Sequence, residues 1–295
     1  MILITGGTGF VGRHLVRKLI EEGNKVRCLI RKTSKTDVFK GFEVDFSYGD
    51  ITDHKSLREA SKGIETVIHL VGIIQESGKA TFKSIHVEGT ENLLRASKEN
   101  GVKLLLYQSA LGADENSTFG YKRTKAEAEN LVKNSGIPYI IFRPSLIFGS
   151  GDQFTLRLSS ILKKSPVIPV IGTGEARFQP IYIEDWVLCA SKALKDKDMQ
   201  NRIFEFGGPE HLTYIEIIDI LAEVLGVQRY KIYFPLHVMK PLIKFIENII
   251  SKPPVTTEQL LLLQQDNITE IKNVEKYFGF KPVTLREGVQ KYFKE

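Results

Sequence analysis

Over roughly the first half of the chain, short apolar runs alternate with amphipathic stretches. Residues 2–4, 25–30, 66–70, 104–107 and 139–142 are too short for helices and rich in aliphatic side chains, so each predicts a buried strand. Between them, residues 11–22, 81–100 and 121–134 repeat their apolar positions at helical spacing and stop near Gly23, Gly101 and Gly136. Glycine past a helix end is a stop signal because it adopts a left-handed backbone cheaply. Strand and helix in alternation predict an α/β fold, a doubly wound parallel sheet of the Rossmann type covered on both faces.

After Gly149 the alternation loosens. Helical segments are predicted at 154–164, 184–194 and 214–225 and beyond, with short strands near 167–168 and 203–206. Thr213 with Glu216, Thr256 with Gln259, and Thr284 with Glu287 have capping-box spacing at the starts of late helices. The chain therefore divides into a doubly wound core over 1–150 and a smaller, mostly helical lobe over 151–295, of which about 167–206 returns to the core. No internal repeat or low-complexity linker interrupts it.

The first strand runs into Gly6-Gly7-Thr8-Gly9-Phe10-Val11-Gly12, which opens the first helix. Small residues there let backbone N–H groups reach a pyrophosphate at the positive helix end. Gly6 is expected to make the tight turn, Gly9 the close approach and Gly12 the packing of helix on strand. Thr8, Phe10 and Val11 complete the candidate cofactor site, against the alternative of a plain glycine-rich turn. The second strand ends at Arg31, where a cation pairs with a 2′-phosphate and an acid would have met a ribose hydroxyl. That favours NADP(H) over NAD(H), with Arg13 and Lys35 as further sources of charge, unless Arg31 is only a solvated loop residue. Asp50 and Ile51 after the third strand, and Val71 and Gly72 after the fourth, are candidates for the adenine and ribose side.

Tyr121 and Lys125 stand at i and i+4 on one helix face, and a nearby ammonium lowers a phenol's pKa toward working pH. Ser109 follows the strand at 104–108, at the carboxyl edge where such sheets place ligands. Its hydroxyl is a candidate to hold a carbonyl oxygen beside Tyr121. The plainer alternatives are a surface Tyr–Lys pair and two local caps.

Composition narrows the classes. With 295 residues, 42% hydrophobic, the chain can bury a large core, and a net charge of +6 spread along it argues against a nucleic-acid binder. The two cysteines, Cys28 and Cys189, have no metal-ligand spacing and suit a reducing compartment, and the six histidines form no metal pattern. A strand at the very N-terminus leaves no room for a cleavable signal, and no apolar run approaches the roughly 18 residues of a spanning helix. A soluble, cytoplasmic protein is the expectation. Residues 236–250 form an apolar stripe with Lys240 and Lys244 on its polar side. This stripe either lies peripherally on the inner face of a membrane, covers a hydrophobic substrate, or packs onto its own domain, and Pro241 limits its regularity. Asp185 and Trp186 are expected to begin a helix near the substrate cleft, Asp185 as an N-cap or a contact.

The glycine turn, the Asp50-Ile51 pair, the order Ser109, Tyr121, Lys125 and the later Arg143-Pro144 resemble the short-chain dehydrogenase/reductase superfamily. The form Gly9-Phe10-Val11-Gly12, Asn92 in the run Gly89-Thr90-Glu91-Asn92, and the stretch from Phe178 to Trp186 are similar to its extended and atypical branch. The middle segment and the stretch from Pro253 to Asn267 are similar to the NAD(P)-binding accessory subunit of respiratory complex I and its bacterial epimerase/dehydratase-like relatives. The resemblance implies hydride transfer between NADP(H) and a carbonyl or alcohol, with Lys125 holding the nicotinamide ribose, Tyr121 passing a proton and Ser109 orienting the oxygen. It also implies Pro144 and Ile147 beside the nicotinamide and a substrate between the sheet edge and the C-terminal lobe. The branch admits other readings: a non-catalytic NADPH-binding scaffold of a respiratory or quinone-biosynthesis complex, an NADP(H) redox sensor, or a nucleotide-sugar epimerase/dehydratase. Partner and oligomeric state are not legible.

Overall fold

A computed structural model describes residues 1–250 and 253–293. The chain forms two compact units, Met1–Pro144 with Val187–Glu205, and Ser145–Trp186 with Phe206–Glu295.

The first unit is built on six strands: β1 (Ile2–Thr5), β2 (Val26–Ile30), β3 (Asp45–Tyr48), β4 (Thr66–His69), β5 (Leu104–Gln108) and β6 (Tyr139–Pro144). They lie in the order β6-β5-β4-β1-β2-β3, each neighbouring pair parallel, and the strand Arg202–Phe206 adds beyond β6. Parallel strands need crossovers, and four helices supply most of them: α1 (Phe10–Glu21), α2 (His54–Ala60), α3 (Gly89–Glu99) and α4 (Gly120–Lys133). Because helices cover both faces, successive strand residues are buried whichever way they point. Leu3, Leu29, Val67, Leu105 and Ile141 pack with Leu57, Leu93 and Val132 on one face. Their alternates Ile4, Cys28, Ile68 and Leu106 are equally buried.

The strand order reverses between β2 and β4, which flank β1. That leaves a crevice beyond the carboxyl ends of β1 and β4, where doubly wound sheets bind ligands. Ahead of α3 the chain makes a π-helical stretch, Lys83–Glu88, so the helix predicted from Thr81 is regular only from Gly89 onward. At Gly89 a Cβ would come within 2.8 Å of Ile51 Cγ1, so a larger residue could not bring this helix as close to the end of β3.

The second unit begins with β7 (Ile147–Phe148), which pairs with Ile181–Tyr182, followed by α5 (Phe154–Lys164) and β8 (Val167–Ile171). Strand Tyr230–Phe234 pairs in parallel with β8 and leads into helix Leu236–Ile249. All three capping boxes form, the threonine hydroxyls of Thr213, Thr256 and Thr284 accepting from the N–H groups of Glu216, Gln259 and Glu287. Asp185 is not an N-cap. It lies inside the first turn of helix Ile183–Lys195 and accepts the N–H of Val283 at 2.8 Å. Pro241 does not interrupt its helix. The hydrogen bond it cannot donate would go to the carbonyl of exposed His237, which water can satisfy. No helix among the described residues is long and apolar enough to cross a membrane, and no group of metal-ligating side chains occurs among them.

Candidate active site

Gly6 turns the chain after β1 with φ +79°, and a Cβ on it would lie 3.1 Å from the backbone of Leu70 at the end of β4. Gly9 is exposed and precedes α1 with no side-chain cap, and the first turn of α1 carries no acidic residue. Helix geometry leaves the first N–H groups without intrahelical acceptors, so this end presents uncompensated donors to an anion. A Cβ on Gly12 would fall 2.2 Å from Gly6 O and 2.6 Å from Gly7 Cα. Gly12 thus serves close packing of the helix on the turn rather than on the strand itself. Gly7 is constrained as well, since a Cβ there would meet Cys28 Sγ at 2.6 Å.

This turn forms one wall of a cavity of about 290 Å³, lined also by Thr8, Arg31, Asp50, Ile51, Val71 and Gly72. Phe10, Val11 and Gly12 sit beside it in the first turn of α1. Leu29, Ser34, Gly49, Leu70, Ile73, Ala80 and Ile85 line it too. The N–H of Arg31 donates to Ser34 Oγ at 3.0 Å, and its guanidinium makes no ion pair among the described residues. Asp50 Oδ1 accepts from both the N–H and the hydroxyl of Thr52, at 3.0 and 2.7 Å, which fixes the carboxylate. The shape fits a dinucleotide: glycines where a Cβ would fill the cradle, free helix donors for the pyrophosphate, and a cation at the end of β2.

A second cluster adjoins the first at Gly72, where a Cβ would lie 3.4 Å from Lys125 Nζ and 3.6 Å from His86 Nε2. Lys125 is only 4% exposed. Its ammonium donates to Gln108 O at 2.7 Å and to Tyr107 Oη at 3.4 Å and lies over the Tyr107 ring. Burial, opposed in part by Glu129, lowers its pKa to about 8. Ser109, the next residue after Gln108, has a buried hydroxyl with no hydrogen-bond partner among the described residues. Tyr121 packs edge-on against His86 and Phe82, with ring centroids 5.7 and 6.0 Å away. The expected lowering of its pKa does not occur. Burial pushes the phenol up to about 12, while the lysine's hydrogen bonds go to β5. Pro144 closes β6, its carbonyl accepting the N–H of Leu111 at 3.0 Å, and Ile147 belongs to the second unit, in β7.

Two histidines that the sequence did not single out are built into this cluster. The N–H of Ile73 donates to His86 Nε2 at 3.1 Å, so the ring proton sits on Nδ1 and is donated to Thr124 Oγ1 at 2.9 Å. Thr124 passes its own proton to Gly120 O at 2.7 Å. Behind it, Thr90 Oγ1 donates to His86 O and so must accept from His69 Nε2, at 3.1 Å. That leaves His69 Nδ1 to accept from Thr5 Oγ1 at 2.7 Å. Burial, then the charge of Lys125, lowers both rings to about 3, so both are neutral with fixed tautomers.

Residues 2–207 match the family described as NAD dependent epimerase/dehydratase. A protein named ceramide reductase, from Caulobacter vibrioides, is 34% identical over 185 residues, 63% of this chain and 58% of that protein, so the match spans little more than half its length. The mitochondrial NADH dehydrogenase (ubiquinone) 1 alpha subcomplex subunit 9 of Arabidopsis thaliana is 28% identical over 276 residues, covering 90% of this chain and 68% of that one. Among solved structures, the UDP-glucose 4-epimerase of Thermotoga maritima superposes with a TM-score of 0.76 at 22% identity, over 99% of this chain and 98% of that one.

Proposed function

The chain belongs to the NAD dependent epimerase/dehydratase family, and we propose that it is an NADP(H)-linked oxidoreductase that interconverts a carbonyl and an alcohol through Tyr121, Lys125 and Ser109. The observation that carries this reading is Lys125: a buried ammonium with no ion pair among the described residues, beside a glycine-walled dinucleotide cavity. Such a charge costs folding free energy that packing does not return, which marks functional sites.

Gly6, Gly9 and the first turn of α1 would hold the pyrophosphate, Asp50 and Ile51 the adenine side, and Arg31 with Ser34 a 2′-phosphate. When bound, a nicotinamide nucleotide supplies hydride chemistry. The residues of this chain supply the rest. Tyr121, a phenol and so protonated at neutral pH, holds the proton that a carbonyl oxygen takes up on reduction. Ser109 offers its unpartnered hydroxyl as a hydrogen-bond donor to that oxygen. Lys125 places a positive charge beside the site, favouring negative charge as it develops.

The test pairs turnover with binding. NADPH-dependent reduction is measured over a panel of carbonyl compounds, with nucleotide affinity followed by fluorescence. Tyr121→Phe should lower turnover roughly a hundredfold or more with NADPH affinity unchanged. Arg31→Asp should move the preference from NADPH toward NADH. Equal turnover by wild type and Tyr121→Phe would sink the proposed chemistry, and an unchanged affinity ratio in Arg31→Asp would sink the coenzyme choice.

A further inference from the structure

The side chains assigned to the reaction and the wall of the coenzyme cavity belong to different elements. Tyr121 and Lys125 ride on α4, whereas Val71, Gly72 and Ile73 are the stretch of cavity wall that leaves β4. His86, 1% exposed in the π-helical stretch ahead of α3, is bonded to both. Its Nε2 accepts the N–H of Ile73 at 3.1 Å, and its Nδ1–H is donated to Thr124 Oγ1 at 2.9 Å. Thr124 lies between Tyr121 and Lys125 in the chain and is anchored in turn to Gly120 O, at the start of α4. His86 Nε2 and Lys125 Nζ also close on one point of the wall, 3.6 and 3.4 Å from where a Cβ on Gly72 would stand.

The ring is held on every side that matters. Phe82 stacks on its face, with centroids 5.5 Å apart and planes 26° from parallel, and Tyr121 meets it edge-on at 5.7 Å. Glu76 accepts the N–H of Phe82 at 2.7 Å, so the loop that starts at Ile73 is tied down again where it returns. A neutral imidazole offers one acceptor and one donor at a fixed separation on a rigid plane. A protonated ring would offer two donors and lose the Ile73 N–H. Burial, then the charge of Lys125, keeps this ring neutral. π-Helical turns are rare and gather at functional sites, and this one carries His86 to the point where both partners come within reach.

We propose that His86 is a positioning residue, a two-sided strap whose Nε2 sets the cavity wall at Ile73 and whose Nδ1–H sets Tyr121 and Lys125 on α4 against that wall. It touches no reacting atom and moves no proton. The inference rests on the oxidoreductase reading above and goes beyond it by separating two tasks in one ring: the Nε2 bond serves nucleotide binding, and the Nδ1 bond serves turnover.

The experiment separates the two nitrogens. Asparagine carries an N–H group where the ring has Nδ1, and glutamine carries an oxygen where it has Nε2. His86→Asn keeps the bond to Thr124 and strands the Ile73 N–H, so NADPH affinity should fall roughly tenfold with kcat within about threefold of wild type. His86→Gln keeps the acceptor for Ile73 and frees Thr124, so kcat should fall roughly ten- to a hundredfold with NADPH affinity little changed. Both are measured per folded molecule, with the thermal midpoint followed alongside. Nitrogen NMR of the wild-type imidazole at pH 7 should show the Nδ1–H tautomer at His86. Tyr121→Phe, run in parallel, reports on the reaction assignment itself: undiminished turnover there sinks that assignment, while nucleotide affinity and the tautomer still decide the strap. An Nε2–H tautomer, unchanged NADPH affinity in His86→Asn, or unchanged kcat in His86→Gln would each overturn the proposal. So would a fall in thermal midpoint with both kinetic readouts intact, the mark of a residue that only stabilises the fold.

Discussion

Replacing Lys125 with methionine should make the protein more stable and abolish its reaction. Burial lowers this lysine's pKa from 10.5 to about 8. At about 1.4 kcal/mol per tenfold, that difference is a folding penalty of about 3 kcal/mol. The sign follows from proton counting. Below pH 8 both folded and unfolded chains carry the charge, and the folded chain bears the whole cost of burying it. Between pH 8 and 10.5 the unfolded chain binds the proton and the folded one does not, so stability rises with pH until the penalty is gone. Methionine has similar length and no charge, but it leaves Gln108 O without its 2.7 Å donor, a loss of about 1 kcal/mol. The net expectation is a gain of about 2 kcal/mol at pH 7 that shrinks and reverses near pH 10. Urea denaturation of both proteins at pH 7 and pH 10, without added nucleotide, measures the difference, in which titrations common to both cancel. A variant less stable at pH 7, or a difference that does not move with pH, would refute the reasoning.

The same lysine predicts that kcat/KM for carbonyl reduction declines above about pH 8 as its charge is lost, while Tyr121, at about 12, stays protonated; a flat profile through pH 9 would remove Lys125 from the reaction. Gly12→Ala forces a Cβ to within 2.2 Å of Gly6 O, and should cost roughly 1–3 kcal/mol in stability and at least tenfold in nucleotide affinity, read by melting and titration. Arg143 holds Glu129, only 1% exposed, through two hydrogen bonds of 2.6 and 2.8 Å. Arg143→Met strands that carboxylate and should destabilise by about 3–5 kcal/mol, with part recovered by adding Glu129→Gln.

What the sequence disclosed was what is local. The strand, glycine turn and helix from Ile2 to Glu21 follow one another along the chain, so the cradle could be recognised from spacing alone. Tyr121 and Lys125 share a helix, and their proximity follows from helical period. The network of Thr5, His69, Thr90, His86 and Thr124 was hidden, because His86 and Thr124 are separated by 38 positions and Thr5 and His69 by 64. Only the pairing of β1 with β4 and the packing of α4 beside the π-helical stretch bring them together. Ionisation was equally illegible. An i, i+4 spacing speaks of attraction between phenol and ammonium, whereas the phenol's pKa is set by desolvation and the ammonium's bonds by the end of β5. For the helix at 236–249, amphipathic period was visible but not which side faces water. That depends on where β8 captures the preceding strand, some 60 residues from its partner in sequence.

The two units exchange chain at Pro144, Trp186 and Glu205, so neither is a contiguous gene segment. A fragment ending at residue 144 lacks the outermost strand, Arg202–Phe206, and leaves β6 as a bare edge inviting intermolecular pairing. During synthesis the nucleotide-binding half cannot be completed until some sixty further residues have left the ribosome, by which time only the first segment of the other half, Ser145–Trp186, has been translated. Dissection by truncation is thus expected to yield aggregates, and separate expression of the halves would require circular permutation or a grafted loop.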